Sequence, residues 1–456
     1  MRKGILVVAL AALAVAAPAG ASTRQEVTIT STDGTALAGT LFLPSAKAPA
    51  AGWPAIVLLH GFGGDRGSMT RLAQIAGLVG ERYAVLTFDA RGHGQSGGLI
   101  GIDGPAETAD TRAVFRWLAA RPDVRDNRIG AFGISYGGGA VLNSLAAGVP
   151  WAAVEVAETW SDLGSALMPQ GLARSGVLDS LLEGLPAAKL DPSVTQVREW
   201  AVAGTNLAAV RSWAAQRSSL ARLRGKRTPV FLMQGRRDFT FGIDQAKRVY
   251  ATLKGPKRLW IGNHGHAPST FPAADTPDML LQGINWFDRW LRGARNGIEN
   301  TKPVVLANEG RGTTRAFLRV PPTGSIVYQG TVGATIEPEN SALVRNPKLP
   351  KAIEVFGAPT VKVTANASGG WSRLVVQMTA RTPGGAAIVV GTGGVPTAPG
   401  TRTYTIRLND QATKLPKGST IEVTLATSNQ AYVAVPQPPG ARLAAQGVTI
   451  TVPTLG

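Results

Sequence analysis

The chain has no cysteine among its 456 residues and only four histidines, at positions 60, 93, 264 and 266. Without thiols there are no disulfides, thiolate metal sites, cysteine nucleophile or acylated lipoprotein cysteine, so the fold has to hold by core packing alone. Charge is sparse, at 17% of residues, and unbalanced: 47 Lys and Arg against 29 Asp and Glu give a formal +18. The basic residues are scattered, as in Arg222, Arg224, Lys226 and Arg227 beside Arg236, Arg237, Lys247 and Arg248, and are not interleaved with aromatics. That pattern argues against nucleic acid as a partner and for a cationic surface that contacts an anionic cell envelope.

Beyond the N-terminus no run is apolar over the ~20 residues a bilayer span needs. At the N-terminus, Arg2 and Lys3 precede the apolar stretch Gly4 to Ala17, followed by Pro18 and the small triplet Ala19-Gly20-Ala21. This is the order of a secretory signal with its cleavage site, and it predicts a secreted chain starting near Ser22. The remainder, in a sequence that is 44% hydrophobic, suffices for one large core and a second domain.

Val27 to Thr30 and Leu37 to Leu43 flank Asp33-Gly34 and read as a hairpin. Then short apolar runs (Ala55 to Leu59, Tyr83 to Phe88, Arg128 to Ile134, Trp151 to Val156, Thr228 to Gln234, Lys257 to Ile261) alternate with helical spacings such as Met69 to Gly80 and Glu107 to Ala120. Such alternation implies an α/β fold with a sheet covered on both faces. The long stretch before Thr228 has helical segments at Leu178 to Leu185 and Val194 to Ala215, which predicts a helical cap over about residues 157–227. Leu280, Ile284, Phe287 and Leu291 mark a last helix that closes a first domain of residues 22–299. Thr/Val-rich runs at 360–365, 373–378, 403–408, 421–425 and 448–452, separated by Gly and Pro turns, predict an all-β, jelly-roll-like sandwich over residues 300–456.

The pattern G-x-S-x-G occurs twice, at Gly133-Ile134-Ser135-Tyr136-Gly137 and Gly94-Gln95-Ser96-Gly97-Gly98. With 55 glycines in the chain, the pattern alone carries little weight. Context separates the copies, because a nucleophile elbow joins a strand directly to a helix with small neighbours. Ser135 follows the strand Arg128 to Phe132 and precedes Gly137-Gly138-Gly139-Ala140-Val141-Leu142, whereas Ser96 sits in a glycine-rich loop with no helix at the motif.

A serine hydroxyl needs a histidine to take its proton and an acid to orient that histidine. In this fold they follow the nucleophile in the order acid, then histidine, after the last two strands of the core pattern. Asp238 follows the Thr228 strand, while Asp244 lies where the next helix begins and suits a helix N-terminus. Asn263-His264-Gly265-His266 follows the Lys257 strand, and spacing alone does not choose between the two histidines. His-Gly-His is also the spacing of a metal pair, but neither a carboxylate nor a third histidine is placed to complete it, so neither metal nor cofactor is expected. The loop Leu59-His60-Gly61-Phe62-Gly63-Gly64 supplies backbone donors for an oxyanion, assigned to the Phe62 and Tyr136 N–H groups. Asp89 to Ser96 reads as a structural loop, which sets His93 aside.

Leu59 to Gly64, Asp89 to Gly97, Gly133 to Gly137 and Trp286 to Gly293 together resemble the Xaa-Pro dipeptidyl-peptidase and cocaine-esterase-like branch of the α/β-hydrolases. Phe356-Gly357-Ala358-Pro359-Thr360 is similar to the entry into that family's C-terminal β-domain. The resemblance implies a triad of Ser135, Asp238 and His266, since Gly265-His266-Ala267-Pro268 is similar to the histidine loop of close relatives. Many relatives use a tyrosine side chain near the first oxyanion loop, where this chain has Phe62, leaving a backbone donor instead. The expected activity is hydrolysis of a small ester or peptide through an acyl-enzyme. A dipeptidyl peptidase also needs an acid to grip the substrate amine, and Glu155 or Glu158 at the cap entrance are the candidates. The alternative from another class is a non-catalytic envelope-binding protein built on the same scaffold.

Overall fold

The computed structural model describes residues 22–433 and 435–456; the expected signal segment, residues 1–21, lies outside them. The hairpin about Asp33-Gly34 is formed by β1 (Ser22–Thr30) and β2 (Ala36–Pro44). Strand and helix then alternate through β3 (Trp53–Leu59), α1 (Arg66–Ile75), β4 (Ala84–Phe88), α2 (Pro105–Ala119), β5 (Val124–Ile134), α3 (Tyr136–Ala146) and β6 (Ala153–Ala157). Four helices come next, α4 (Leu163–Leu167), α5 (Ser175–Leu182), α6 (Pro192–Ala203) and α7 (Leu207–Gln216). The alternation resumes with β7 (Val230–Gly235), α8 (Ile243–Thr252), β8 (Lys257–Gly262), α9 (Thr276–Leu291), β9 (Val304–Ala307) and β10 (Thr314–Phe317).

The ten strands form one sheet in the order β1-β2-β4-β3-β5-β6-β7-β8-β9-β10, parallel from β4 to β9 and antiparallel at both ends. Strand residues alternate between its two faces. Ala55, Val57 and Leu59 of β3 join the core under α2, α3 and α8, while Ile56 and Leu58 join the one under α1 and α9. Chain order reverses between β4-β3 and β5, and the crevice at the carboxyl ends of strands beside such a switch is where ligands bind in open α/β sheets.

α9 does not close this first unit, contrary to the expectation of a boundary at residue 299. Val304 to Ala307 pairs in parallel with β8, and Thr314 to Phe317 adds an antiparallel edge. Four-residue strands of this composition look the same whether they belong to the first sheet or the second domain.

The cap segment owes its helices to local signals. The Asp191 side chain accepts from Ser193 N–H at 2.9 Å, Pro192 opens α6, and Gly204 in the left-handed region ends it. A smaller core of Ala173, Val197, Ala201 and Val210 ties α6 to α7 and the approach to α5.

The C-terminal part contains β11 (Thr323–Ile336), β12 (Ala342–Lys348), β13 (Ile353–Gly357), β14 (Thr360–Ser368), β15 (Arg373–Arg381), β16 (Ala387–Pro396), β17 (Gly400–Arg407), β18 (Gln411–Leu415), β19 (Thr420–Ala426) and β20 (Arg442–Leu455). They make two antiparallel sheets, β17-β14-β20-β13-β18 with β11 on β20, and β12-β19-β15-β16. Val361 and Ile450 of one sheet share a core with Met378 and Val423 of the other, as in a sandwich.

Candidate active site

β5 passes into α3 through Ser135, whose φ of 53° is positive for a non-glycine residue. Room for that turn comes from glycine. A Cβ on Gly133 would collide with the Gly137 carbonyl, and one on Gly137 with the Leu59 carbonyl at the end of β3. The Thr159 hydroxyl, two residues past β6, donates to the Ser135 carbonyl at 2.7 Å and holds the turn. The rival Ser96 is buried in its loop, donating to the Asp89 carbonyl at 2.6 Å and accepting from Ala38 N–H at 2.9 Å.

The loops after β7 and β8 converge on Ser135. Its Oγ lies 2.9 Å from Nε2 of His266, and Nδ1 of His266 lies 2.7 Å from Oδ2 of Asp238. Asp238 is buried, and its Oδ1 accepts from Thr240 N–H at 2.9 Å and Phe241 N–H at 2.8 Å. With Nδ1–H donating to the carboxylate, Nε2 is left free to accept the serine proton. Asp244, the other acid considered, stands in the first turn of α8, where Arg248 pairs with it at 3.0 Å.

His264 turns the other way. It is fully buried, and its Nδ1–H donates at 2.6 Å to Glu158, a residue held at φ 54° just past β6. Glu158 also lies close behind the site: it, Asp238 and His266 each offer a ligand atom within 4.8 Å of one another. Contrary to the expectation from spacing, a carboxylate does stand beside the His-Gly-His segment. Glu158 Oε1 is engaged with His264 and Asp238 Oδ2 with His266. Loss of solvent alone lowers the His266 pKa, but the charge and hydrogen bond of Asp238, helped by the charge of Glu158, outweigh it and raise the pKa to about 9.

Phe62 and Tyr136, whose N–H groups the sequence assigns to the oxyanion, line the same cavity as Ser135. Tyr136 is the first residue of α3, so its N–H has no acceptor within the helix. Among the described residues the Phe62 N–H donates to no loop carbonyl. The ring of Phe62 packs on Tyr136 and His93, with centroids 5.4 and 5.7 Å apart. His60 holds the same loop, its Nε2 accepting from Ala90 N–H at 3.0 Å and its Nδ1–H donating to the Gly61 carbonyl at 2.8 Å.

A cavity with about 890 Å³ of empty space, counted to its open mouth, rises from Ser135, Tyr136 and Phe62 into the cap helices. Among the described residues, no Asp or Glu lines it. Glu155, one of the acids considered for gripping an amine, is instead buried in β6 against Gly283 of α9, and burial pushes its pKa well up. Glu158, the other, is taken up by His264.

A sheet of this order with a serine in a strained turn, and an acid and a histidine in the loops after its last central strands, defines an α/β-hydrolase. Residues 33–268 match the family described as X-Pro dipeptidyl-peptidase (S15 family), and residues 266–450 match its C-terminal non-catalytic domain. The chain belongs to that family, as the four sequence segments and the β-domain entry implied. A putative Xaa-Pro dipeptidyl-peptidase of Bacillus anthracis is 23% identical over 257 residues, half of this chain and 42% of that protein. A 31.7 kDa protein of Escherichia coli is 39% identical over 95 residues, 20% of this chain and 32% of that protein, so the chain spans well under half the length of either relative. A CocE/NonD family hydrolase from Staphylococcus aureus shares the fold at a TM-score of 0.70 and 14% identity, covering 95% of this chain and 94% of that one.

Proposed function

We propose that the chain is a serine hydrolase that cleaves a carboxylic ester through an acyl-enzyme. The observation that carries this reading is the continuous relay from Ser135 Oγ through His266 to Asp238. Ser135 Oγ attacks the ester carbonyl carbon as His266 Nε2 takes its proton, and the oxyanion is met by the Phe62 and Tyr136 N–H groups. The carbon–oxygen bond to the alcohol breaks, and His266 protonates the departing alkoxide. Water then attacks the acyl-enzyme, giving its proton to His266, which returns it to Ser135 as the acid leaves. Asp238 keeps the imidazole in the tautomer both steps use.

Peptidase activity on Xaa-Pro dipeptides is the second reading, favoured by the family match and the Bacillus relative. Against it stands the cavity above Ser135, where no carboxylate among the described residues is placed for a substrate ammonium. Labelling by a fluorophosphonate probe tests the nucleophile: wild type labels and Ser135→Ala does not, and equal labelling of both sinks the assignment. A serine that reacts in this way also rules out the non-catalytic alternative. Turnover of a short-acyl ester against an Xaa-Pro anilide separates the two hydrolytic readings.

Export belongs to the same proposal, supported by the order of residues 2–21. N-terminal sequencing of protein recovered from outside the cytoplasm is expected to begin at Ser22, and a chain still carrying Met1 contradicts it.

A further inference from the structure

The cavity above Ser135 is not used up by the triad or the oxyanion donors, and its walls are chemically uniform. From Phe62 and Tyr136 at the floor it runs up between the cap helices, where Leu178 and Leu181 of α5 face Val194, Val197 and Ala201 of α6, with Trp213 of α7 beside them. Among the described residues one formally charged side chain reaches it, Arg198, and that guanidinium is paired with Asp179.

These walls decide what can occupy the space. A substrate ammonium, as on the N-terminus of a dipeptide, would leave water for a site with no carboxylate and a single arginine, which is unfavourable on both counts. An acetyl group would leave most of the apolar wall without a partner. An aliphatic chain attached to the reacting carbonyl gains hydrophobic transfer energy over its length without needing a hydrogen bond, and the walls it would meet between the cap helices are apolar.

We propose that the cap cavity is an acyl-chain site, and that the substrate is an ester of a medium-length aliphatic acid whose chain lies between α5 and α6 while its carbonyl sits at Ser135. The inference rests on Ser135 as nucleophile and adds the identity of the acyl group. The chemistry balances as ester hydrolysis: the ester carbon–oxygen bond breaks, water supplies hydroxyl to the acyl carbon and a proton to the alkoxide, and the products are the aliphatic acid and the alcohol. The cap then sets specificity through Val197 and Ala201, whose side chains are buried against the cavity.

The test is a series of p-nitrophenyl esters from acetate through butyrate and hexanoate to octanoate, read as kcat/KM on the full chain with Ser135→Ala as control. Each methylene taken from water into the cavity is expected to raise kcat/KM by about fourfold until the chain fills it. Ala201→Phe puts a ring into the cavity from α6 and is expected to lower the octanoate-to-acetate ratio at least tenfold. Should that variant melt well below wild type, Leu181→Phe on α5 serves in its place, and the wild-type series needs neither. A flat or falling series that still depends on Ser135 overturns the acyl-chain site and leaves the nucleophile standing. Faster turnover of an Xaa-Pro anilide than of any ester, again lost in Ser135→Ala, overturns it too. Ester hydrolysis that survives Ser135→Ala fails the underlying reading instead.

Discussion

At the scale of single residues, the balance around His266 makes a prediction about pH. The imidazole acts as base only when neutral, and its neighbours keep it protonated to about 9. The value of kcat/KM should therefore climb with pH and level off above about 9, and a plateau already reached near pH 7 contradicts this. Glu158→Gln removes one of the charges that hold the proton while keeping an acceptor for His264, so the rising limb should move to lower pH. A pH profile identical to wild type would break the link. Asp238→Asn leaves the shape of the loop but gives up the carboxylate that fixes the tautomer, and kcat should fall by on the order of 10⁴. Ser135, Asp238 and His266 could be picked out because each follows a strand in the expected order, and the structure links them by hydrogen bonds. The Glu158–His264 pair could not, because its members are 106 positions apart and no local pattern joins them. Once His264 is committed to Glu158, the choice between the two histidines that spacing had left open is explained by geometry.

At the scale of elements, the turn from β5 into α3 depends on close approach to the end of β3. Gly137→Ala sets a methyl group against the Leu59 carbonyl, in a place with no flexible side chain to give way. Overpacking of this kind costs about 1–3 kcal/mol, and here it also displaces the amide that follows Ser135. The expected result is a lower urea midpoint together with fluorophosphonate labelling slowed beyond what the unfolded fraction accounts for; normal labelling on a stable variant would show that the turn has slack. The central strands could be read from sequence because a strand buried on both faces is a continuous apolar run, as in β3, and α2 because its apolar face repeats at helical spacing. β9 and β10 could not be assigned. They are too short to show periodicity, and their place beside β8 comes from tertiary pairing.

At the scale of the whole molecule, the two domains are joined at the loop that carries Asp238, the acid of the proposed relay. Arg236, two residues before Asp238, is 1% exposed and so is no part of a cationic surface. It is instead the central interdomain contact: its guanidinium donates to the Glu354 carboxylate at 2.7 Å, to the Ala412 carbonyl at 3.1 Å and to the Ala307 carbonyl, and its own carbonyl accepts from Ala412 N–H at 2.7 Å. Lys247 on α8 repeats the link to Asp410 at 2.8 Å. The β-domain thus clamps the loop that carries Asp238, although none of its described residues lines the cavity above Ser135. Arg236→Met fills similar space and removes the charge and its donors. Breaking a buried pair costs about 3–5 kcal/mol, and the lower end is expected because Glu354 keeps Arg315 at 2.7 Å. If the clamp matters only for stability, urea unfolding will show that loss while kcat at temperatures where the protein stays folded is unchanged. If it positions the acid, kcat falls with KM little altered, since the cap that holds the acyl group is untouched. We expect the second outcome, because the clamp acts on the backbone of the same loop whose Asp238 must meet His266 at hydrogen-bond distance, and a shift of even half an ångström there is felt in the orientation of the imidazole.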